Sequence, residues 1–223
     1  HLHVHTEYSI QDGASRIKDI VKKAKDNGME AVAITDHGNM FGTTVFYKEC
    51  KENGIKPIIG CEVYTESING KQDANHLVLL AKNKVGYRNL CKIVTGAYDN
   101  FYNRPQVTWE NLRKYNEGLI CLSACLGGEI SQNLINNDYE QAKKVAMSFE
   151  KIFKDDFYLE IQRHNLSDEK IANPQILKLG KELGIKVVAT GDTHFTNEED
   201  KETQDILLCL QRGKTFNDPT RWS

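Results

Sequence analysis

Two histidines separated by one residue open the chain, His3 and His5 in HLHVHTEYS. Alternate residues of an extended segment project to one face, so both imidazoles can reach a single point. Further side chains of ligand type stand directly behind short apolar runs. AVAIT leads into Asp36-His37-Gly38, KPIIGC into Glu62, GLICLSA into Cys125 and VVATG into Asp192-Thr193-His194. Imidazoles, carboxylates and one thiol converging in this way make the donor set of a metal centre, one that suits Zn²⁺ and leaves Mn²⁺ or Fe open. Each piece alone has an ordinary structural reading: an incidental HxH pair, a hydrogen-bonded turn histidine, a small buried cysteine. The reading rests on coincidence, since five of seven strand candidates end in side chains of one chemical kind. Two residues stand apart. His76 precedes its run HLVLLA and would enter a parallel sheet at the wrong end, unless that strand runs antiparallel or the preceding loop folds over the mouth. Asp12, in QDGAS, reads equally as a turn residue or as a cap for the helix entering at Ser15.

Such residues need a frame that brings strand ends to one mouth. The strand candidates are LHVH at the start, AVAIT from Ala31, KPIIGCEVY from Lys56, HLVLLA from His76, GLICLS from Gly118, FYLEIQ from Phe157 and IKVVAT from Ile185. Each is a short apolar run bounded by Gly, Asn, Asp or Pro, as buried strands are. Helical spacing appears between them. Ile17, Ile20, Val21 and Ala24 are closed by Gly28, and Phe46, Tyr47 and Cys50 by Gly54. Ala142, Val145, Ala146 and Phe149 mark another helix; Ile176, Leu177, Leu179 and Leu183 mark one more, closed by Gly184. The last, around Ile206 to Leu210, follows the acids Glu198, Glu199 and Asp200, which suit a helix N-terminus. This alternation predicts an α/β fold with a mainly parallel sheet, either doubly wound or closed into a barrel, with active residues at the carboxyl ends of its strands. No GxGxxG follows the first strand, so a dinucleotide site is not expected. One domain is expected over residues 1–212. The aperiodic GKTFNDPTRWS of residues 213–223 reads as a linker or the start of a following domain.

Composition narrows the classes. With 29 basic and 31 acidic side chains the net charge is −2, which gives no sign of a basic surface gripping nucleic acid. No apolar run approaches the roughly 18 residues of a membrane span, and no secretory signal opens the chain. The six cysteines (Cys50, Cys61, Cys91, Cys121, Cys125, Cys209) include no CxxC pair and read as reduced thiols of a cytoplasmic protein. The chain begins inside its most informative motif, without an initiator methionine, and reads as a piece of something longer.

Taken in order, HLHVHTEYSIQDGA, AVAITDHGNMFGTTVFY, GIKPIIGCEVY, HLVLLAKNKVGYRNLCKIV, GLICLSACLGGEI and VVATGDTH resemble the polymerase and histidinol phosphatase (PHP) domain. The resemblance is to the version that opens the alpha subunit of bacterial replicative DNA polymerase III, and it runs on through ILLCLQRGKTFNDPTRWS. It implies a distorted seven-stranded, TIM-like (β/α) barrel whose mouth holds up to three divalent ions. The implied ligands are His3, His5, Asp12, His37, Glu62, His76, Cys125, Asp192 and His194, with catalysis assigned to Asp12, Asp192 and His194. His164, in EIQRHN, is an implied substrate contact; His1 lies outside the HxH pair and is not carried over. Three ions against the carboxylates of Asp12, Glu62 and Asp192 and a Cys125 thiolate leave about +2, a trap for a phosphate oxyanion. The implied reaction is phosphoester hydrolysis, and on a polymerase 3′–5′ exonuclease proofreading at the DNA primer 3′ end. Implied partners are the remaining polymerase domains of the same chain, which would carry polymerisation beyond Ser223, and replisome subunits. Two alternatives stand beside it. One is a non-catalytic module, stabilised by its metals, that docks a separate proofreading exonuclease. The other is a small-molecule phosphatase resembling histidinol phosphatase, which GNMFG, GYRNL and SACLGGEI disfavour. Gly191 stands where relatives often have Asn, Asn165 where Gly is usual, and the loop from Thr65 to Asn75 is short.

Overall fold

The computed structural model describes residues 1–10, 12–70 and 74–221. Its strands are β1 (Ala31–Ile34), β2 (Lys56–Thr65), β3 (Asn75–Ala81), β4 (Phe101–Tyr102), β5 (Arg104–Val107), β6 (Leu119–Leu122), β7 (Phe157–Ile161) and β8 (Val187–Ala189). Its helices are α1 (Ile17–Asp26), α2 (Thr43–Glu52), α3 (Lys84–Asp99), α4 (Trp109–Tyr115), α5 (Glu129–Ile135), α6 (Tyr139–Phe153), α7 (Ser167–Leu183) and α8 (Lys201–Arg212).

The α/β class and most helices are as the apolar spacing predicts. Ile17, Ile20, Val21 and Ala24 bury the inner face of α1, and Ala142, Val145, Ala146 and Phe149 that of α6. Gly28, Gly54 and Gly184 take φ values of 66°, 73° and 71°, the left-handed turn that ends a helix. Tyr47 and Leu177, expected on inner faces, are instead half exposed. Helices α3, α4 and α5 and the hairpin β4–β5 were not expected. From Gly213 the chain makes only turns as far as Arg221.

The sheet runs β4-β5-β2-β3-β6-β7-β8, and β1 pairs with the first half of β2. It is mixed, where a mainly parallel sheet was expected. β3 lies antiparallel to both β2 and β6, so this strand points the opposite way from its neighbours. The predicted first strand LHVH is also absent as a strand. Val4 makes one isolated bridge, to Thr193. The backbone of residues 1–5 divides its hydrogen bonds between two neighbours, which leaves too few for a ladder on either side. Ala33 N donates to His1 O and Thr35 N to Val4 O on the β1 side; His5 N donates to Thr193 O and Thr193 N to His3 O on the other. The result is a curled, half-barrel sheet whose two ends meet across this segment.

Side-chain alternation along β3 separates two interiors. Leu77 and Leu79 pack against α3 with Leu90 and Ile93, each burial contributing about 1.5–3 kcal/mol. Val78 and Leu80 face the concave side with Ala33, Leu122 and Ala124, a small apolar plug. The β2–β3 register sets Glu62 opposite Val78 and Tyr64 opposite His76, so these polar side chains share the concave face and cap the plug.

Candidate metal centre

Val4 packs into the apolar cluster of α1, α2 and β1, so His3 and His5 on either side of it point the other way, into the concave face, fully buried. Each ring is fixed from behind. The Ser9 hydroxyl donates to Asp36 Oδ1 at 2.8 Å, and can therefore only accept from His5 Nδ1 at 2.9 Å. That places the His5 proton on Nδ1 and leaves Nε2 bare. The Glu160 carboxylate likewise accepts from His3 Nδ1 at 2.8 Å. His194 Nδ1 donates to the Asp192 carbonyl at 3.0 Å, and its ring stacks on His5 with centroids 4.1 Å apart. Three imidazoles thus turn the same nitrogen inward.

The carboxylates meet these nitrogens. Asp192 Oδ1 lies 3.3 Å from His3 Nε2 and 3.2 Å from His5 Nε2. Glu62, well inside β2 and not at its end, faces four histidines. Its Oε1 is 3.2 Å from His3 and 2.9 Å from His76; its Oε2 is 2.6 Å from His37 and 3.5 Å from His5. The reversal of β3 explains His76: at the start of an antiparallel strand it reaches the same mouth as the ends of its neighbours. Gly127 seats the thiol beside it, donating its N–H to Cys125 Sγ at 3.4 Å, and the sulfur stands 3.5 Å from His76 Nδ1. Asp12 is not a helix cap, because α1 is entered through Arg16. Its Oδ2 accepts from Gln211 Nε2 of α8 at 3.0 Å and faces His37 Nε2 at 3.3 Å.

Charge and burial oppose each other throughout. Burial works against charge on His3, but Asp192, Glu160 and Glu62 outweigh it and hold its pKa well above the histidine range. Burial also acts against His37, yet Glu62 and Asp12 raise it to about 10. For His5, burial and then His37 and His194 prevail and pull it down to about 3. Burial raises Glu62 and Asp192, but the histidines around them hold both below the usual carboxylate range. Burial, then Glu62 and Asp192, push the Cys125 thiol up, so its ionisation calls for a cation beside it. Asp192 also holds φ at 42°, an uncommon backbone for a residue other than glycine.

Despite this crowding, His3 Nε2, His5 Nε2, His37 Nδ1, Asp12 Oδ1, Glu62 Oε2 and Asp192 Oδ1 are buried without a hydrogen bond. All of these but Asp12 Oδ1 are held only as ion pairs to one another, and an ion bound among them would give nitrogens and oxygens alike a partner. Metal ions fit, because the ligand atoms of His3–His5–Asp192, of His37–Glu62–His76 and of His5–His37–His194 each lie within 4.8 Å of one another. Asp12 and Cys125 join through His37 and His76. All nine residues singled out from the sequence come together.

His164 stands at the edge and is not free for a ligand as placed. Its Nδ1 bonds Glu169 at 2.7 Å and its Nε2 the Gly191 carbonyl at 2.9 Å. Sequence reasoning missed the supporting shell. Glu160 and Gln162 carried a signal, two polar residues at alternate positions of the buried run FYLEIQ. Ser9, Asp36 and Gln211 carried none as supports.

The PHP domain model matches residues 1–164. The DNA polymerase III subunit alpha of Borreliella burgdorferi is 47% identical over 99% of this chain, and that of Aquifex aeolicus 41% over 98%. The chain spans about a fifth of the length of these relatives, 20% of each. Among solved structures, a Bifidobacterium adolescentis protein classed as a metal-dependent phosphoesterase shares the fold with a TM-score of 0.58 at 14% identity, covering 86% of each chain. A two-domain Bacteroides vulgatus protein containing a predicted PHP-like metal-dependent phosphoesterase gives 0.57 at 13%, covering 96% of this chain and 55% of that one.

Proposed function

The chain belongs to the PHP domain family, and from that premise we propose that it is a metal-dependent phosphoesterase acting as the 3′–5′ proofreading exonuclease of a DNA polymerase III alpha subunit. The observation that carries this reading is the set of nine converging donors with buried, unbonded nitrogens and oxygens. His3, His5 and Asp192 would hold one ion, His37, Glu62, His76 and Cys125 a second, and Asp12 and His194 with the neighbouring histidines a third. Zn²⁺ suits these donors best, with Mn²⁺ or Fe as the other candidates. When bound, such ions polarise a phosphoryl oxygen and lower the pKa of coordinated water from 15.7 toward about 7.

The chain's own residues do the remainder. Ser9 and Glu160 fix the rings of His5 and His3 so that their Nε2 atoms face the substrate side. The apolar plug of Ala33, Val78, Leu80 and Leu122 keeps water from entering behind the donors. Asp192 bridges the two N-terminal histidines, Asp12 is held by Gln211 against His37, and His194 stacks on His5. Asp192 and His194 would act as ligands, and a carboxylate oxygen of Asp12 left uncoordinated is the atom to which we assign proton transfer. The curled sheet, with its ends joined through residues 1–5, reads as a distorted barrel. Polymerisation, the other polymerase domains, replisome contacts and a cytoplasmic setting belong to the longer protein of which this would be one part.

The test is release of label from 3′-labelled single-stranded DNA in Zn²⁺ or Mn²⁺, beside Asp12→Asn and Asp192→Asn. Each substitution should cut the rate by about a hundredfold or more. Cleavage that survives both refutes the reading; full ion binding without cleavage supports the docking module instead.

A further inference from the structure

Arg104 opens β5 and is partly buried at the edge of the candidate centre. The parallel register pairs Tyr64 with Gln106 and Thr65 with Val107. Gln106 therefore shares the face of Tyr64, and Arg104, two residues earlier on the same strand, lies on that face too, one step beyond the His37–Glu62 bridge. The guanidinium stands over the Tyr64 ring, 4.6 Å from its centroid, and Nη1 donates to the Tyr64 hydroxyl. Tyr64 is itself buried, stacked near His37 with centroids 5.9 Å apart and edge-on to His76 at 5.2 Å. A cation and two of the candidate ligands thus pack on one aromatic ring.

The arginine is anchored but not neutralised. Among the described residues no carboxylate oxygen lies within 4.0 Å of it. A guanidinium held by a ring face and a hydroxyl keeps most of its donors, arranged as a planar fork, for a ligand. The ligand it suits is a phosphate, whose non-bridging oxygens match that fork. The site also has need of it. Asp12, Glu62, Glu160 and Asp192 crowd one pocket, and a fixed cation on the rim offsets the repulsion that an entering phosphodiester meets.

We infer that Arg104, positioned by Tyr64, is the residue that binds a backbone phosphate of the single strand presented to this centre. The inference rests on the phosphoesterase reading for its choice of substrate. Its test separates the two. A fluorescent ten-nucleotide thymidylate strand is titrated by anisotropy, with excess Zn²⁺ and with chelator, against the wild-type chain, Arg104→Gln, Arg104→Lys and Tyr64→Phe, with metal content measured for each. Arg104→Gln should weaken binding by about tenfold or more at unchanged metal content. It should also reduce the slope of log affinity against log salt by about 0.7, the signature of one lost phosphate contact on a single strand. A merely structural arginine would not move that slope. Tyr64→Phe should fall between. Arg104→Lys, which keeps charge and stem, should recover only part of the affinity and carries the test if the glutamine variant does not fold. Wild-type chain that does not bind the strand, Arg104→Gln within twofold of wild type, or a fully competent Arg104→Lys each overturn the inference. Salt-sensitive, Arg104-dependent binding without cleavage leaves it standing and removes the hydrolytic reading.

Discussion

Replacing Glu160 by glutamine asks how much of the centre's affinity comes from holding an imidazole from behind. Glu160 is buried, and its Oε1 accepts from His3 Nδ1 at 2.8 Å, from Gln162 Nε2 at 3.0 Å and from the Thr190 hydroxyl. Glutamine keeps the shape but removes the charge, and its amide can turn NH₂ toward Nδ1, releasing the ring from its tautomer. Carboxylates in this position are typically worth 10–100-fold in metal affinity, about 1.4–2.7 kcal/mol. No proposed ligand is lost, so the number of ions at saturation should hold while one dissociation constant rises by that factor. Competition for Zn²⁺ against a chromophoric chelator measures the constant, elemental analysis the stoichiometry, and circular dichroism the fold. A constant within twofold of wild type would refute the reasoning. So would the loss of a whole ion, because Glu160 Oε2 has no hydrogen bond and the residue would then be a ligand itself.

Ser9→Ala removes the acceptor for His5 Nδ1 and one donor to Asp36, and should cost about 1–3 kcal/mol; nitrogen NMR of the metal-free chain should show His5 losing its single Nδ1–H form. Gly60→Ala brings a methyl to 2.7 Å from the Leu79 carbonyl and 2.6 Å from Leu80 Cδ2, so β2 and β3 must separate; a cost of about 2 kcal/mol lowers Tm by roughly 4–8 °C, and an unchanged Tm contradicts the packing. Burial lowers the pKa of His164, but the Gly191 carbonyl and Glu169 raise it above the usual 6.5. A raised histidine stabilises fully below 6.5 and loses that contribution as pH climbs through its folded pKa. The stability advantage of wild type over Glu169→Gln should therefore shrink as the pH rises above 6.5, and an NMR midpoint at or below 6.5 in the wild type contradicts this.

Seven of the nine donors were legible because each sits on a local pattern with a mechanical meaning, whereas Asp12 and His76 entered only through the family resemblance. HVH needs only the two-residue period of extended chain, and Val4 buried on the opposite side shows that period at work. Direction was not legible. A single apolar run does not say which way it runs, so His76 could not be placed until β3 paired antiparallel with both neighbours. Helix α3 was there to be found, with Leu90, Ile93, Val94 and Ala97 on one face and Asn83 capping Val85 and Gly86. The shell around the donors was hidden for a different reason. His3 and Glu160 are 157 residues apart, and Gln211 reaches Asp12 across 199; only the closure of the sheet brings such pairs together.

That shell also revises the charge argument. Sequence supplies three carboxylates and a thiolate, which three divalent ions would exceed by about two units. Glu160, hydrogen-bonded to His3, adds a fourth carboxylate to the same pocket and reduces the surplus to about one. With only two ions the balance falls to about −1, and a phosphodiester would be repelled. Anion affinity at this mouth therefore depends on full occupancy or on a fixed cation that is not a ligand. Arg104, joined to the centre through Tyr64 and paired with no carboxylate among the described residues, is placed to supply that charge whatever the number of ions.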